Sequence, residues 1–278
     1  MSIVLLQISD PHFGTEQPRV VQALAQLARE HAPGLVVLSG DITQRATRVQ
    51  FGAARSFVER LAAPALLTIP GNHDIPLFAL GTRLFNPYGR YREAFGSALE
   101  PVFESTDCLA IAVNTTRWYR HEDGEVSDAQ VERVAQRLSQ ATSRQLRVVV
   151  VHQPLAVTKP QDQSNRLHGR DAAVARWAAA GADLVLGGHI HLPFVLPLHE
   201  SFVDCPRALW AVQAGTALST RVRSGAPNSV NLVRYDPRAV SRDCVVERWD
   251  CDAGADRFER VAAHILSLAD NDAHAHVG

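Results

Sequence analysis

The chain has 278 residues, 46% of them hydrophobic and 21% charged, which is enough apolar material to bury a sizeable core in an α/β unit. A formal net charge of −1 leaves no global field to draw in nucleic acid or an anionic membrane, so any attraction for phosphate must be local. No apolar stretch approaches the roughly 20 residues of a membrane span, because Arg, Asp, Pro or Gly interrupts each one.

The opening run from Ile3 to Ile8 lacks the basic leader and cleavage site of a secretory signal and reads as a strand covered on both faces. It ends at Asp10-Pro11-His12. A helical stripe over Arg19 to His31 follows, then the strand Leu35 to Leu38, which leads into Gly40-Asp41. A second helix from Arg48 to Ala62 and the strand Leu66 to Ile69 complete a β-α-β-α-β order, the signature of a parallel sheet with right-handed crossovers. That third strand delivers Gly71-Asn72-His73-Asp74. Residues 75–101 lack clean periodicity and are expected to form short helices over the mouth of a site.

Leu109 to Val113 restores the strand pattern, Ser127 caps a helix running to Gln140, and the strand Leu146 to Val151 hands over His152. A helix carrying Val174 and Trp177 precedes the strand Ala182 to Leu186 and Gly187-Gly188-His189-Ile190-His191. Strand-like runs at Leu209 to Val212, Val230 to Tyr235 and Cys244 to Trp249 are expected to give antiparallel strands to a second sheet. Asp256 to Leu268 reads as an amphipathic helix, and 271–278 as a flexible tail holding His274 and His276. With no repeat or linker visible, residues 1–278 read as a single domain of mixed sheets covered by helices. Cys108, Cys205, Cys244 and Cys251 form no Cys-x-x-Cys pair and read as free thiols of a reducing, cytoplasmic compartment, a Cys244 to Cys251 disulfide being the other reading.

Function in parallel sheets gathers beyond the carboxyl ends of the strands. Five such ends present Asp10 and His12, Asp41, Asn72 and His73, His152, and His189 with His191. Each fragment alone also reads as a turn, since Asn and Asp bond locally to the backbone. Together they form a nitrogen and oxygen donor set without cysteine, suited to divalent Mn, Fe, Co or Zn. The donors are too many for one open catalytic ion, and Asp41 at the centre could bridge two.

In these five blocks, Asp10-Pro11-His12, Gly40-Asp41, Gly71-Asn72-His73-Asp74, His152 and Gly188-His189-Ile190-His191, the chain resembles the calcineurin-like metallophosphoesterase superfamily over roughly residues 1 to 195. The resemblance implies a four-layer α/β/β/α sandwich. It also implies two metal ions (Mn, Fe or Zn), one held by Asp10, His12, Asp41 and His191, the other by Asp41, Asn72, His152 and His189. His73 would stabilise the phosphoryl oxygens or protonate the leaving oxygen, with Asp74 orienting and charging its imidazole. The implied reaction is in-line attack at phosphorus by a metal-bridging hydroxide.

Protein phosphatases of this superfamily carry Gly-Asp-x-x-Asp-Arg-Gly and Gly-Asn-His-Glu, whereas this chain reads Gly40-Asp41-Ile42-Thr43-Gln44-Arg45 and ends its block in Asp74. It looks more like the bacterial class III cyclic-nucleotide phosphodiesterases and glycerophosphodiesterases, although their His-His-Pro-Pro block is here His152-Gln153-Pro154-Leu155. The expected substrate is a small-molecule phosphodiester. Alternatives are a pyrophosphatase on a nucleotide-linked lipid precursor, a phosphomonoesterase, a DNA nuclease, disfavoured by the absence of basic tracts, and a metal-binding scaffold without turnover. Arg117, Asn165 and His168 are the candidate substrate contacts, Arg120, Trp118 and Arg166 weaker neighbours, and Arg221 and Arg223 read as a surface charge cluster. Related phosphodiesterases imply a homo-oligomer formed through the C-terminal region.

Overall fold

The structure, a computed structural model, describes residues 3–120, 122–223, 225–252, 254 and 256–269. The expected tail at 271–278 lies outside them. Strand β1 (Ile3–Ile8), helix α1 (Pro18–His31), β2 (Leu35–Ser39), α2 (Arg48–Leu61) and β3 (Leu66–Ile69) form the parallel unit read from the sequence. Two short helices follow, α3 (Leu80–Phe85) and α4 (Gly89–Phe95), then β4 (Val102–Glu104), β5 (Cys108–Ala112), α5 (Asp128–Leu138) and β6 (Leu146–Val150). Next come α6 (Arg170–Ala179), β7 (Leu184–Gly187), β8 (Phe194–Pro197), α7 (Leu198–Ser201), β9 (Trp210–Gln213), β10 (Ser229–Tyr235), β11 (Asp243–Asp252) and β12 (Arg257–Ser267).

The described residues form two six-stranded mixed sheets, ordered β12-β11-β10-β1-β2-β3 and β4-β5-β6-β7-β9-β8. Alternation along the strands builds four layers from continuous apolar runs. In β1 and β2, Leu6, Ile8, Val36 and Leu38 face α1 and α2, while Leu5, Leu35 and Val37 face the other sheet. In β6, Val149 packs with Val134 of α5 and Trp177 of α6, while Val148 and Val150 fill the space between the sheets. The result is the α/β/β/α sandwich. Helix α5 begins as expected at Ser127, whose hydroxyl accepts from the Gln130 N–H while Gln130 reaches back, a capping box.

Two expectations about the last third are corrected. Residues 257–267 form strand β12, not a helix: Phe258 is buried on the helix-covered face of the sheet and Leu266 and Leu268 between the sheets, a register shift opposite Arg248 and Trp249 separating them, while Val261 and Ile265 are exposed. Pairing with β11 along almost its whole length decides for the strand. The strands after residue 192 are also divided. β8 and β9 extend the second sheet, β9 parallel to β7, while β10 to β12 return antiparallel to the first. Within 75–101, α4 buries Tyr91 and Ala94, and the Tyr91 hydroxyl donates to the Thr68 carbonyl at 2.8 Å; α3 buries none of its residues.

At the edge where β7 begins, Asp183 is fully buried and accepts from Arg242 Nη2 at 2.7 Å, Arg207 Nη2 at 3.1 Å and the Arg147 backbone N–H at 2.9 Å. Arg242 precedes β11 of the other sheet, so this cluster pins the sheets together. Asp183→Ala leaves buried guanidinium charge without its carboxylate, and urea denaturation should show a loss of about 3–5 kcal/mol. A loss below about 1 kcal/mol, typical of a surface pair, would show that the pin contributes little.

Candidate metal centre

The loops after β1, β2, β3, β6 and β7 converge at one edge of the two sheets. Asp10, His12, Asp41, His189 and His191 all have positive φ, between 45° and 74°. For non-glycine residues that backbone costs about 1–2 kcal/mol each, and its recurrence at five predicted donors marks a site where geometry outweighs local stability. Two glycines let the loops close. A Cβ on Gly188 would strike the Ser9 hydroxyl, and one on Gly71 the Asp41 backbone nitrogen.

Among the described residues three clusters of candidate donors form: Asp10, His12 and His191; Asp41, His152 and His189; and His12, Asp41 and His73. Donors bound at about 2.0–2.2 Å to one centre stand roughly 3–3.5 Å apart. Here His12 Nε2 is 3.0 Å from His191 Nε2, which is 3.4 Å from Asp10 Oδ1. In the second group His152 Nε2 is 3.3 Å from Asp41 Oδ1 and 3.2 Å from Asn72 Oδ1. Asp10 Oδ1 and His189 Nδ1 are buried without hydrogen-bond partners, which suits atoms reserved for a cation. The residues present therefore fit two ions, with the Asp41 oxygens facing different clusters, Oδ2 toward His12 and Oδ1 toward His152.

Backbone carbonyls set the tautomers, because a carbonyl only accepts. His152 Nδ1–H donates to the Ser39 carbonyl at 2.9 Å and His191 Nδ1–H to the Arg221 carbonyl at 2.8 Å, leaving each Nε2 turned to the clusters. Burial drives His12 down to about 3 and, with the charge of His152, His189 down to about 4, so both stand as neutral lone-pair donors. Burial alone would raise Asp10, but His191 beside it holds the carboxyl at about 2. Burial would lower His152, yet the charge of Asp41 lifts it to about 9. Asp41 in turn is held well below the carboxylate range, against burial, by His152 and His73.

The expected role of Asp74 is corrected. Its carboxylate does not meet the His73 ring; it accepts from the backbone N–H groups of Ile42, Thr43 and Gly71 and from the Thr43 hydroxyl, at 2.8–2.9 Å, locking the loop after β2 to the turn after β3. Burial and the nearby Asp41 charge raise it to about 6. Gln44 orients His73 instead, its carbonyl accepting from Nδ1–H at 3.0 Å, while Nε2 faces Arg221 Nη1 at 3.0 Å. Sequence offered no cue to Gln44, since its backbone does the work.

Of the candidate substrate contacts, Asn165 lines the 510 Å³ cavity over the clusters with Asp41, His189 and His191. Arg117 does not: its guanidinium is taken up by Glu125, Gln130 and the carbonyls of Asn114 and Thr116. His168 is half exposed and 3.7 Å from Asp123, away from the donors. Arg221, read as surface charge, borders both this cavity and a second one of 520 Å³. No helix among the described residues is long and apolar enough to cross a membrane.

A calcineurin-like phosphoesterase family model matches residues 3–193. A probable cyclic nucleotide phosphodiesterase of Synechococcus sp. is 28% identical over 220 residues, 74% of this chain and 80% of that protein. Among solved structures, a purple acid phosphatase from yellow lupin seeds superposes with a TM-score of 0.72 at 13% identity, covering 96% of this chain and 54% of its own, so the chain spans about half of that enzyme. A dimetal phosphatase from Danio rerio gives 0.65 at 13% identity, covering 96% and 99%. These two similarities show the fold; the family match spans all five donor blocks. The chain belongs to the calcineurin-like phosphoesterase family, which uses a dinuclear metal centre, and it is a metal-dependent phosphoester hydrolase.

Proposed function

We propose that this hydrolase cleaves a small-molecule phosphodiester, with 3′,5′-cyclic nucleotides the first candidates. The observation that carries the reading is that two cavities meet at Asn72, His73, Glu122 and Arg221. A diester has a substituent on each side of phosphorus, and these cavities give room for both. The similarity to a protein named as a probable cyclic nucleotide phosphodiesterase supports the same reading.

In this reading Asp10, His12, Asp41 and His191 hold one ion and Asp41, Asn72, His152 and His189 the other, and the N/O donor set suits Mn, Fe or Zn. Such ions supply Lewis-acid charge at the phosphoryl oxygens and a nucleophilic water at neutral pH. The chain itself positions and excludes. His73, steered by the Gln44 carbonyl, presents Nε2 at the junction, where it can stabilise a phosphoryl oxygen or pass a proton to the leaving oxygen. Leu77, Phe78 and Pro76 give the second cavity an apolar wall against which a leaving group packs out of water.

One observation favours a second reading, hydrolysis of a nucleotide-linked lipid diphosphate: Leu77 and Phe78, which line that cavity, are exposed, and so are Leu80, Leu84 and Phe85 of the helix α3 that follows them in the chain. Four free cysteines support a cytoplasmic setting, and the outer edge of β12, with Val261 and Ile265 exposed, is the surface a homo-oligomer would use.

Manganese-loaded protein is expected to hydrolyse bis(p-nitrophenyl) phosphate with at least about tenfold higher kcat/KM than p-nitrophenyl phosphate, about 1.4 kcal/mol of preference. Monoester preference would overturn the diester reading.

A further inference from the structure

After β9 the chain leaves the second sheet and crosses back over the first. Residues 214–223 are bonded down along the way. The Ala217 N–H donates to the Ser9 carbonyl, the Thr216 hydroxyl to the Asp10 carbonyl at 2.6 Å, and the Thr220 N–H to the Thr15 carbonyl. The Arg221 N–H is held by the Ser219 hydroxyl at 3.1 Å. Arg221 is thus tied through its backbone to the loop that carries Asp10 and His12.

Its side chain reaches the other way. Nη1 lies 3.0 Å from His73 Nε2, 3.3 Å from Gln44 Oε1 and 3.5 Å from His12 Nδ1, and among the described residues no carboxylate pairs with it. Arg223, two residues on, differs: it donates to the buried Asp162 carboxylate at 2.9 Å and to the Ile190 carbonyl. One charge of the pair is neutralised inside the protein, the other is left unmatched where the two cavities join. An arginine fork with no carboxylate partner among the described residues, in a site that must hold an anion, matches the planar geometry of two phosphoryl oxygens.

We propose that Arg221 is a substrate-binding residue whose guanidinium holds the phosphoryl group of the ester at the junction, while its backbone carbonyl fixes His191. The assignment rests on the site's taking a phosphoester and not on which ester it is. A purely structural Arg221 would prop His73 and His191 without touching the anion.

The test uses full-length protein loaded with manganese, in the native form and as Arg221→Met and Arg221→Lys, both of which keep the carbonyl to His191. Metal content is measured first, then orthophosphate affinity by calorimetry, then kcat and KM for both p-nitrophenyl esters. The expected result for Arg221→Met is unchanged manganese content, orthophosphate binding weakened by about tenfold or more, and a raised KM, with Arg221→Lys recovering part of the affinity. Unchanged orthophosphate affinity in Arg221→Met would overturn the proposal, as would loss of manganese as the sole effect. Because the calorimetric arm needs no turnover, monoester preference would remove the diester reading and leave this assignment standing.

Discussion

Asp41→Ala should abolish turnover, lowering kcat/KM by more than about a thousandfold, roughly 4 kcal/mol of transition-state stabilisation. Asp41 belongs to two of the three donor clusters found among the described residues, and its side chain is buried, only 3% exposed, with one oxygen toward each group. It also accepts the His73 backbone N–H at 2.8 Å, so its removal disturbs both proposed ion sites and the turn that presents His73. Metal analysis of the purified variant should show less than the native content. Two ions per chain together with a rate within tenfold of native would rule out the bridging role. Asn72→Ala should act in the same direction on the single group it shares with His152.

For His73→Ala the expected outcome differs in kind: rates fall by about 10²–10⁴, the range of a positioned acid or base, and metal content stays native. The geometry gives the reason. His73 lies close enough to His12 and Asp41 to count as a third donor group, yet its Nδ1 is committed to the Gln44 carbonyl and its Nε2 faces a guanidinium, which would repel a cation at that spot. Metal analysis separates the two roles. An emptied ion site in His73→Ala would make the imidazole a ligand, and a native rate would remove it from the chemistry.

The placement of the candidate donors is legible in the sequence because each follows a run of buried aliphatic residues, so a one-dimensional pattern, apolar strand then Asp, Asn or His, maps onto one edge of a sheet. Ile3 to Asp10 and Leu146 to His152 are read correctly for that reason alone. Arg221 carries no such mark. It lies 30 positions beyond His191, in a segment without regular structure, and is held at the site by bonds such as those of Thr216, Ala217 and Thr220 to the first loop. Asp74 misleads differently: adjacency in sequence suggested that it serves His73, whereas the turn points its carboxylate back to Ile42 and Thr43. β12 was misread because Phe258, Val261 and Ile265 satisfy a helical period, and nothing local reveals that β11 offers a ladder for ten of its residues.

The donors are split between the sheets. Asp10, His12, Asp41 and Asn72 follow strands of one, His152, His189 and His191 strands of the other, while the Asp183 cluster joins the same sheets at the far edge. Whatever occupies the centre therefore acts as a cross-brace, adding its binding free energy to the cohesion of the sandwich. By reciprocity, anything that loosens the apolar seam weakens occupancy. A cavity carved at Leu35 or Val148, far from any reacting atom, would then register as a weaker hold on metal before it registered as unfolding.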